Sequence, residues 1–322
     1  METMGGTRKL FLFIFVAAGA VLGLSLIICA QGNDFGSVAQ AKSKPKKKRT
    51  SWVTTSGLKK ASWGSNVTIT YPKGYVRYRS DGLPNHARQA EYAVPSGGGG
   101  GAAIPTAATA TAAPDPTKAQ SYDFKIPTTP RKVRQTTSTS LGTIGVMISG
   151  AALFNPYEAD NTTVATASNF TVKDSSGKDV AFLDSCNGHP NPMGAYHYHA
   201  LPSCVTAEVD RKNGKSHLIG IAFDGFPIYG DRDIHGKKVK ASQLDKCNGI
   251  TSATPEFPNG IYHYVLLNTK TSDSSIRCFH GTVDSSLLNT GMGGMTGPPG
   301  GPQTTTTASD ARAVRSLFCH LA

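Results

Sequence analysis

Between Cys186 and Cys204 the chain reads CNGHPNPMGAYHYHALPSC, three histidines and two tyrosines in one interval bounded by cysteines. Successive side chains of a strand point to opposite faces, so Tyr196 and Tyr198 share one face and His197 and His199 the other. A His-x-His pair sets two imidazoles about 6–7 Å apart at their bases, near enough to converge on one ion. His189 lies eight residues before His197 and can fold back as a third ligand. Neutral imidazole is the commonest metal ligand at physiological pH. Two or three of them with a carboxylate suit zinc, copper or non-haem iron. Three protein ligands with an open fourth position would suit catalysis. Asp224, in an Asp-Gly pair expected to form an exposed turn, can supply the carboxylate, as can Asp184 or Asp245. His263 and His86 complete the candidate ligand set. Each of these residues also has a purely structural use. Half-buried histidines bond to backbone, tyrosines pack across strands, and aspartates brace turns through N–H groups.

The cysteines bear on where such a site would operate. Cys29 lies in an apolar leader, and Cys186, Cys204, Cys247, Cys278 and Cys319 follow it. We pair Cys186 with Cys204 and Cys247 with Cys278, each closing a short loop worth about 3–4 kcal/mol, and leave Cys319 over. The leader TRKLFLFIFVAAGAVLGLSLIICAQG has Arg8 and Lys9 ahead of a 21-residue apolar run, Leu10–Ala30. That run exceeds an ordinary signal-peptide core and is long enough to cross a bilayer of about 30 Å. A cleaved signal peptide and an uncleaved signal anchor of type II orientation are the two readings. The anchor would put the cysteines and glycosylation sequons on the cytoplasmic side, so cleavage is the expectation. The sequons at Asn66, Asn161 and Asn169 fit export too. The protein is therefore expected to be secreted or held at the cell surface, with a membrane partner only if the leader persists.

An internal repeat frames the histidines. LDSCNGHPNPMGAYHYHALPSC is matched by LDKCNGITSATPEFPNGIYHYVLLNTK, which leads on to RCFHG. Both copies read Leu-Asp-x-Cys-Asn-Gly, then Gly-x-Tyr-His-Tyr, then a second cysteine. With SDGLPNH, GTIGVMISGAALFNP and GIAFDGFPIYG, these stretches resemble the YHYH-domain family over about residues 66–283. The resemblance implies a secreted or surface protein, often with a Gly/Pro-rich tail, and a domain boundary and site rather than a reaction. One departure stands out. Family members often carry Tyr-His-Tyr-His in the second copy as well, whereas here Val265 takes the place of that last histidine. Ile250 likewise stands where His189 stands in the first copy, so the second copy keeps only His263.

The elements that must hold these residues are short strands. Val67, Ile69 and Tyr71 alternate with polar residues, Gly74 turns the chain, and YVRYRS follows, a hairpin pattern. GTIGVMISGAALFNP reads as two buried strands broken at Gly150, FTVKDSSGKDVAFLD as a hairpin, HLIGIAFDGFPIYGD as two apolar runs about Asp-Gly, and PNGIYHYVLLN as another strand. The expected fold is mainly β, an antiparallel sandwich or jelly-roll-like single domain with duplicated disulfide-closed hairpins and short helices at most. Its limits are 64–285, after a leader at 1–30 and a basic linker at 31–63, and before a Gly/Pro/Thr-rich tail at 286–322. Residues 95–118, rich in Gly, Ala, Thr and Pro, read as a flexible insertion.

The net charge of +12 is concentrated in the stretch 42–60. That run is a solvated linker, a processing site or a contact for acidic polysaccharide and anionic surfaces. No nucleic-acid fold accompanies it, so no nucleic-acid partner is expected. The sequence has no Gly-x-Ser-x-Gly, His-Glu-x-x-His, phosphate loop or dinucleotide fingerprint, and its cysteines lack zinc-finger spacing. Two function classes remain. One is an extracellular metalloprotein, with zinc, copper or iron at the histidine cluster and an enzymatic reaction left open. The other is a structural or adhesive glycoprotein with neither metal nor catalysis.

Overall fold

The structure is a computed structural model and describes residues 53–96, 104–212 and 214–288. The chain divides into two units, 1–47 and 48–322, and every described residue belongs to the second. The leader, Cys29, residues 42–52 of the basic run, Cys319 and the carboxy-terminal tail lie outside the described residues. Among the described residues no helix is long and apolar enough to cross a membrane.

In chain order the strands begin with β1 (Val67–Thr70), β2 (Tyr75–Ser80), β3 (Glu91–Pro95), β4 (Ala110–Pro114), β5 (Tyr122–Pro127) and β6 (Thr137–Ser138). Then come β7 (Thr143–Met147), β8 (Ala152–Phe154), β9 (Thr171–Lys173), β10 (Asp179–Ala181), β11 (Gly188–Pro190) and β12 (Tyr196–Tyr198). The last are β13 (Leu218–Ala222), β14 (Pro227–Tyr229), β15 (Gly249–Ser252), β16 (Ile261–Val265) and β17 (Cys278–Phe279). Among the described residues helices are limited to α1 (Thr55–Leu58), α2 (Ser203–Val209), α3 (Ser285–Leu288) and two 3-10 turns.

An eight-stranded sheet in the order β11-β12-β8-β7-β13-β14-β16-β15 forms the centre of the molecule. Its middle strands are apolar on both faces, and β7 and β13 are buried along their whole length. A strand covered on both sides reads as a continuous apolar run rather than an alternating one. The three-stranded sheet β1-β2-β5 covers one face, and it does alternate, with burial pattern iBiBeB along β2. Its inward residues Tyr78, Phe124 and Ile126 join Ile144, Val146 and Phe223 in the main core. Phe124 and Phe223 lie 5.0 Å apart, and the Tyr78 hydroxyl donates to Met147 O at 3.0 Å. Burying each such side chain contributes about 1.5–3 kcal/mol. The result is sandwich-like and mainly β, as expected from the alternation and the turn residues.

The repeat extends beyond the matched hairpins. The first half runs β7-β8 and then β11-β12; the second runs β13-β14 and then β15-β16. Within each half, one strand of the later hairpin lies parallel to one strand of the earlier: β12 beside β8, and β14 beside β16. The halves meet through the antiparallel pair β7–β13. Ile144-Gly145-Val146 and Ile219-Gly220-Ile221 sit at corresponding places across that join. The sheet is therefore two four-stranded copies in mirrored order. Its hairpins are antiparallel as expected, and only the joins within each half are parallel.

The insertion at 95–118 departs from expectation. Ala110–Pro114 forms β4, antiparallel to β3. A backbone ladder needs no large side chains, and Ala93 and Ala110 instead pack on Phe182 and Phe170 of the neighbouring β9–β10 hairpin. Small residues here let two hairpins approach closely, which composition alone reads as an absence of core.

Candidate metal centre

The motif Leu-Asp-x-Cys-Asn-Gly builds the turn that sets the histidine hairpin. Asp184 Oδ1 accepts from the N–H groups of Cys186 and Gly188 at 2.8 and 3.2 Å. Asn187 takes a left-handed conformation, φ 58°, which asparagine tolerates. Gly188 lies under the Tyr196 ring, and a Cβ there would collide with the Tyr196 hydroxyl. That hydroxyl donates to Asp184 Oδ2 at 2.7 Å. The second copy repeats each part: Asp245 Oδ1 accepts from Cys247 and Gly249, Asn248 has φ 68°, and Tyr262 donates to Asp245 at 3.0 Å. Asp184 and Asp245 are turn braces in both copies rather than parts of the histidine cluster. Disulfides Cys186–Cys204 and Cys247–Cys278 close the two loops, the pairing expected from the sequence.

The turn delivers β11 antiparallel to β12 with His189 opposite His197. His199 follows one residue past β12. The three imidazoles converge on one point: His197 Nε2 lies 2.9 Å from His199 Nε2, which lies 3.2 Å from His189 Nε2. They are 6%, 2% and 2% exposed for His189, His197 and His199. Phe154 stacks on His197 at 3.8 Å, and Phe182 meets His189 edge-on at 4.4 Å. Burial holds the imidazoles of His189 and His197 well below their usual pKa and lowers His199 to about 4. All three rings are neutral at physiological pH.

The tautomers follow from the outer nitrogens. His197 Nδ1 lies 3.0 Å from Ala195 O and His199 Nδ1 lies 2.8 Å from Asn155 O. A carbonyl oxygen only accepts, so both Nδ1 atoms carry the single proton of their rings. Both Nε2 atoms then present lone pairs to each other with no hydrogen between them. A shared proton would place a charge in a buried pocket walled by phenylalanines, which desolvation opposes. A cation resolves the opposition. Tetrahedral zinc with Zn–N of about 2.0–2.1 Å separates its nitrogen ligands by about 3.3 Å, close to the spacing here. The residues present therefore fit a first-row metal ion bound by three Nε2 atoms. The Ala195 and Asn155 carbonyls orient two of the rings from behind, as outer partners do for a metal-bound imidazole.

The remaining candidates lie elsewhere. Asp224 is 0% exposed, not an exposed turn residue, because the β13–β14 turn tucks under Pro127 and Gly281. Its Oδ2 accepts from the Tyr264 hydroxyl at 2.5 Å and from Gly281 N at 2.8 Å. Burial raises its pKa to about 6. His263 repeats the pose of His197, Nδ1 donating to Ile261 O at 3.1 Å and its ring against Tyr229 at 4.9 Å. Its hairpin partner is Ile250, and Val265 stands two residues on, so no other imidazole among the described residues reaches it. It lines a cavity of about 10 Å³ with Tyr229 and Thr254 instead. His86 packs on the tyrosine face of β12, its Nε2 2.6 Å from the Tyr198 hydroxyl. His86, Cys186 and Cys204 also cluster, but both sulfurs are spent in the disulfide. Asp224, His263 and His86 thus stand apart from the His189–His197–His199 group.

Of the three sequons, Asn66 points its amide inward, donating to Leu83 O and, at 3.1 Å, to Ser149 O. The nitrogen that would carry a glycan is occupied. Asn161 and Asn169 are exposed. Sequence reasoning passed over the supports of the cluster: Phe154, Asn155 and Phe182, and also Ser274 and Ser275. Those two serines, from the loop before Cys278, donate to His199 O at 3.1 Å and Phe154 O at 2.8 Å. Only Phe154-Asn155 carried a signal, as the end of a buried strand.

Such a duplicated, disulfide-braced β sheet with a histidine cluster in one copy defines a class, and comparison gives it a family. The YHYH protein family matches residues 123–238 and again 233–281, the two matches overlapping in the stretch between β14 and β15. The chain belongs to the YHYH family. Neither the curated proteins nor the solved structures yielded a match.

Proposed function

We propose that this is an exported YHYH-domain protein that binds one first-row transition-metal ion, zinc, copper or iron, through Nε2 of His189, His197 and His199. The supporting observation is the set of buried lone pairs. Two neutral imidazoles face each other at 2.9 Å with their only N–H groups turned away to carbonyls. Burial of all three rings favours a held, sheltered ion over a site that turns over bulky substrates. The leader, the two disulfides and the exposed sequons at Asn161 and Asn169 support export, and the 42–60 basic run supports contact with acidic polysaccharide at the surface.

A ligand that binds the folded chain alone stabilises it by mass action. Chelator-treated protein should melt several degrees lower than untreated protein, and zinc should restore the melting temperature. In His197→Ala/His199→Ala neither chelator nor zinc should shift the melt. Identical melts for treated and untreated wild type would leave the structural, adhesive reading in its place.

A further inference from the structure

The two disulfides are alike in sequence context but not in surroundings. Cys247 and Cys278 are 0% and 7% exposed. In the other pair Cys186 is 2% exposed, but Cys204 is only half-buried. His86 stands beside this pair alone, its Nδ1 3.6 Å from Cys186 Sγ. That Nδ1 lies 2.9 Å from Ala87 O, which only accepts, so it carries a proton. Nε2 accepts from the Tyr198 hydroxyl, which fixes the ring. The more exposed cysteine of this pair is thus bonded to a buried one that has an N–H donor next to it.

We propose that Cys204 is a site of thiol–disulfide exchange with low-molecular-weight thiols. An incoming thiolate attacks Cys204 Sγ in line with the disulfide. A new S–S bond forms to Cys204, the Cys186–Cys204 bond breaks, and its electron pair leaves on Cys186 Sγ. The His86 N–H, shared between Ala87 O and the sulfur, then hydrogen-bonds the Cys186 thiolate. Exchange is faster when the leaving sulfur is the better-stabilised thiolate and the attacked sulfur is the accessible one, and here the two conditions fall on different cysteines of one pair. The product is Cys204 carrying the small thiol, with Cys186 free. The proposal needs no ion at the histidine cluster.

The test uses the full secreted chain with reduced glutathione as the probe, acid quenching, alkylation of free thiols and peptide mass mapping. The expected product carries glutathione on Cys204, alkylation on Cys186 and an intact Cys247–Cys278 bond; mapping separates it from any adduct at Cys319. His86→Ala should slow formation of this product on the order of tenfold, from loss of a hydrogen bond to a charged sulfur. His86→Asn, which keeps a donor near the same place, should recover part of the rate. Unchanged circular dichroism in both variants separates this from a general loosening. Glutathione on Cys186, earlier opening of Cys247–Cys278, or no adduct at any glutathione concentration short of unfolding would overturn the proposal. Equal rates in wild type and His86→Ala would overturn the role of His86.

Discussion

At the scale of single residues, the same residue types behave differently in the two copies because of their neighbours. His197 and His263 make the same backbone bond, and an aromatic ring lies against each, Phe154 stacked on His197 and Tyr229 edge-on to His263. Only His197 has two further imidazoles beside it. His263→Ala should therefore leave metal content unchanged, and His197→Ala should abolish it. Asp224 allows a prediction about pH. Its pKa is raised by burial from 3.8 to about 6. Between these values the folded chain keeps a proton that the unfolded chain has released, so stability falls as pH rises through that window, by at most about 3 kcal/mol. His263 is lowered by burial from 6.5 to about 4, so its contribution is lost as pH falls through 6.5 to 4. The two trends oppose each other. Asp224→Asn should remove the first, and urea unfolding between pH 4 and 6.5 should then show a steeper loss of stability toward acid than in wild type. Parallel curves would mean that Asp224 ionises freely in the fold.

At the scale of elements, the turn ahead of β11 is the device that places His189. Its glycine is required by the close tyrosine above it. Gly188→Ala should push the Tyr196 ring off Asp184 and destabilise the protein by about 1–3 kcal/mol, the usual cost of overpacking, read as a lower melting temperature. A neutral effect would mean that the tyrosine–aspartate bond does not hold the turn. Much of this level was legible in the sequence. A period of two separated the histidine face of Tyr196–His199 from its tyrosine face, and the cysteine spacing gave both loops. The hairpin return of His189 onto His197 was also open to inference. Asp224 was not, because an Asp-Gly pair announces a turn but not what covers it. Pro127 and Gly281, which cover it, are far away in sequence. His86 was legible as chemistry and not as place, since its neighbours Tyr198 and Cys186 lie 112 and 100 residues on.

At the scale of the whole molecule, the duplicated sheet lets one half brace the site of the other. Ser274 and Ser275, near the second disulfide, hold the carbonyls of His199 and Phe154 in the first half. The parallel joins and the central β7–β13 pair were invisible to local pattern, because they unite segments far apart in the chain. So was β4, whose small side chains look like linker. What decides the account is whether the histidine cluster holds an ion. The most direct measurement is elemental analysis by plasma mass spectrometry of the secreted protein, purified without chelators or a polyhistidine tag, beside His197→Ala/His199→Ala. One equivalent of zinc, copper or iron per chain, lost in the double variant, is the predicted result. No metal in the wild type after each ion has been offered, with unaltered folding of the variant, would contradict it.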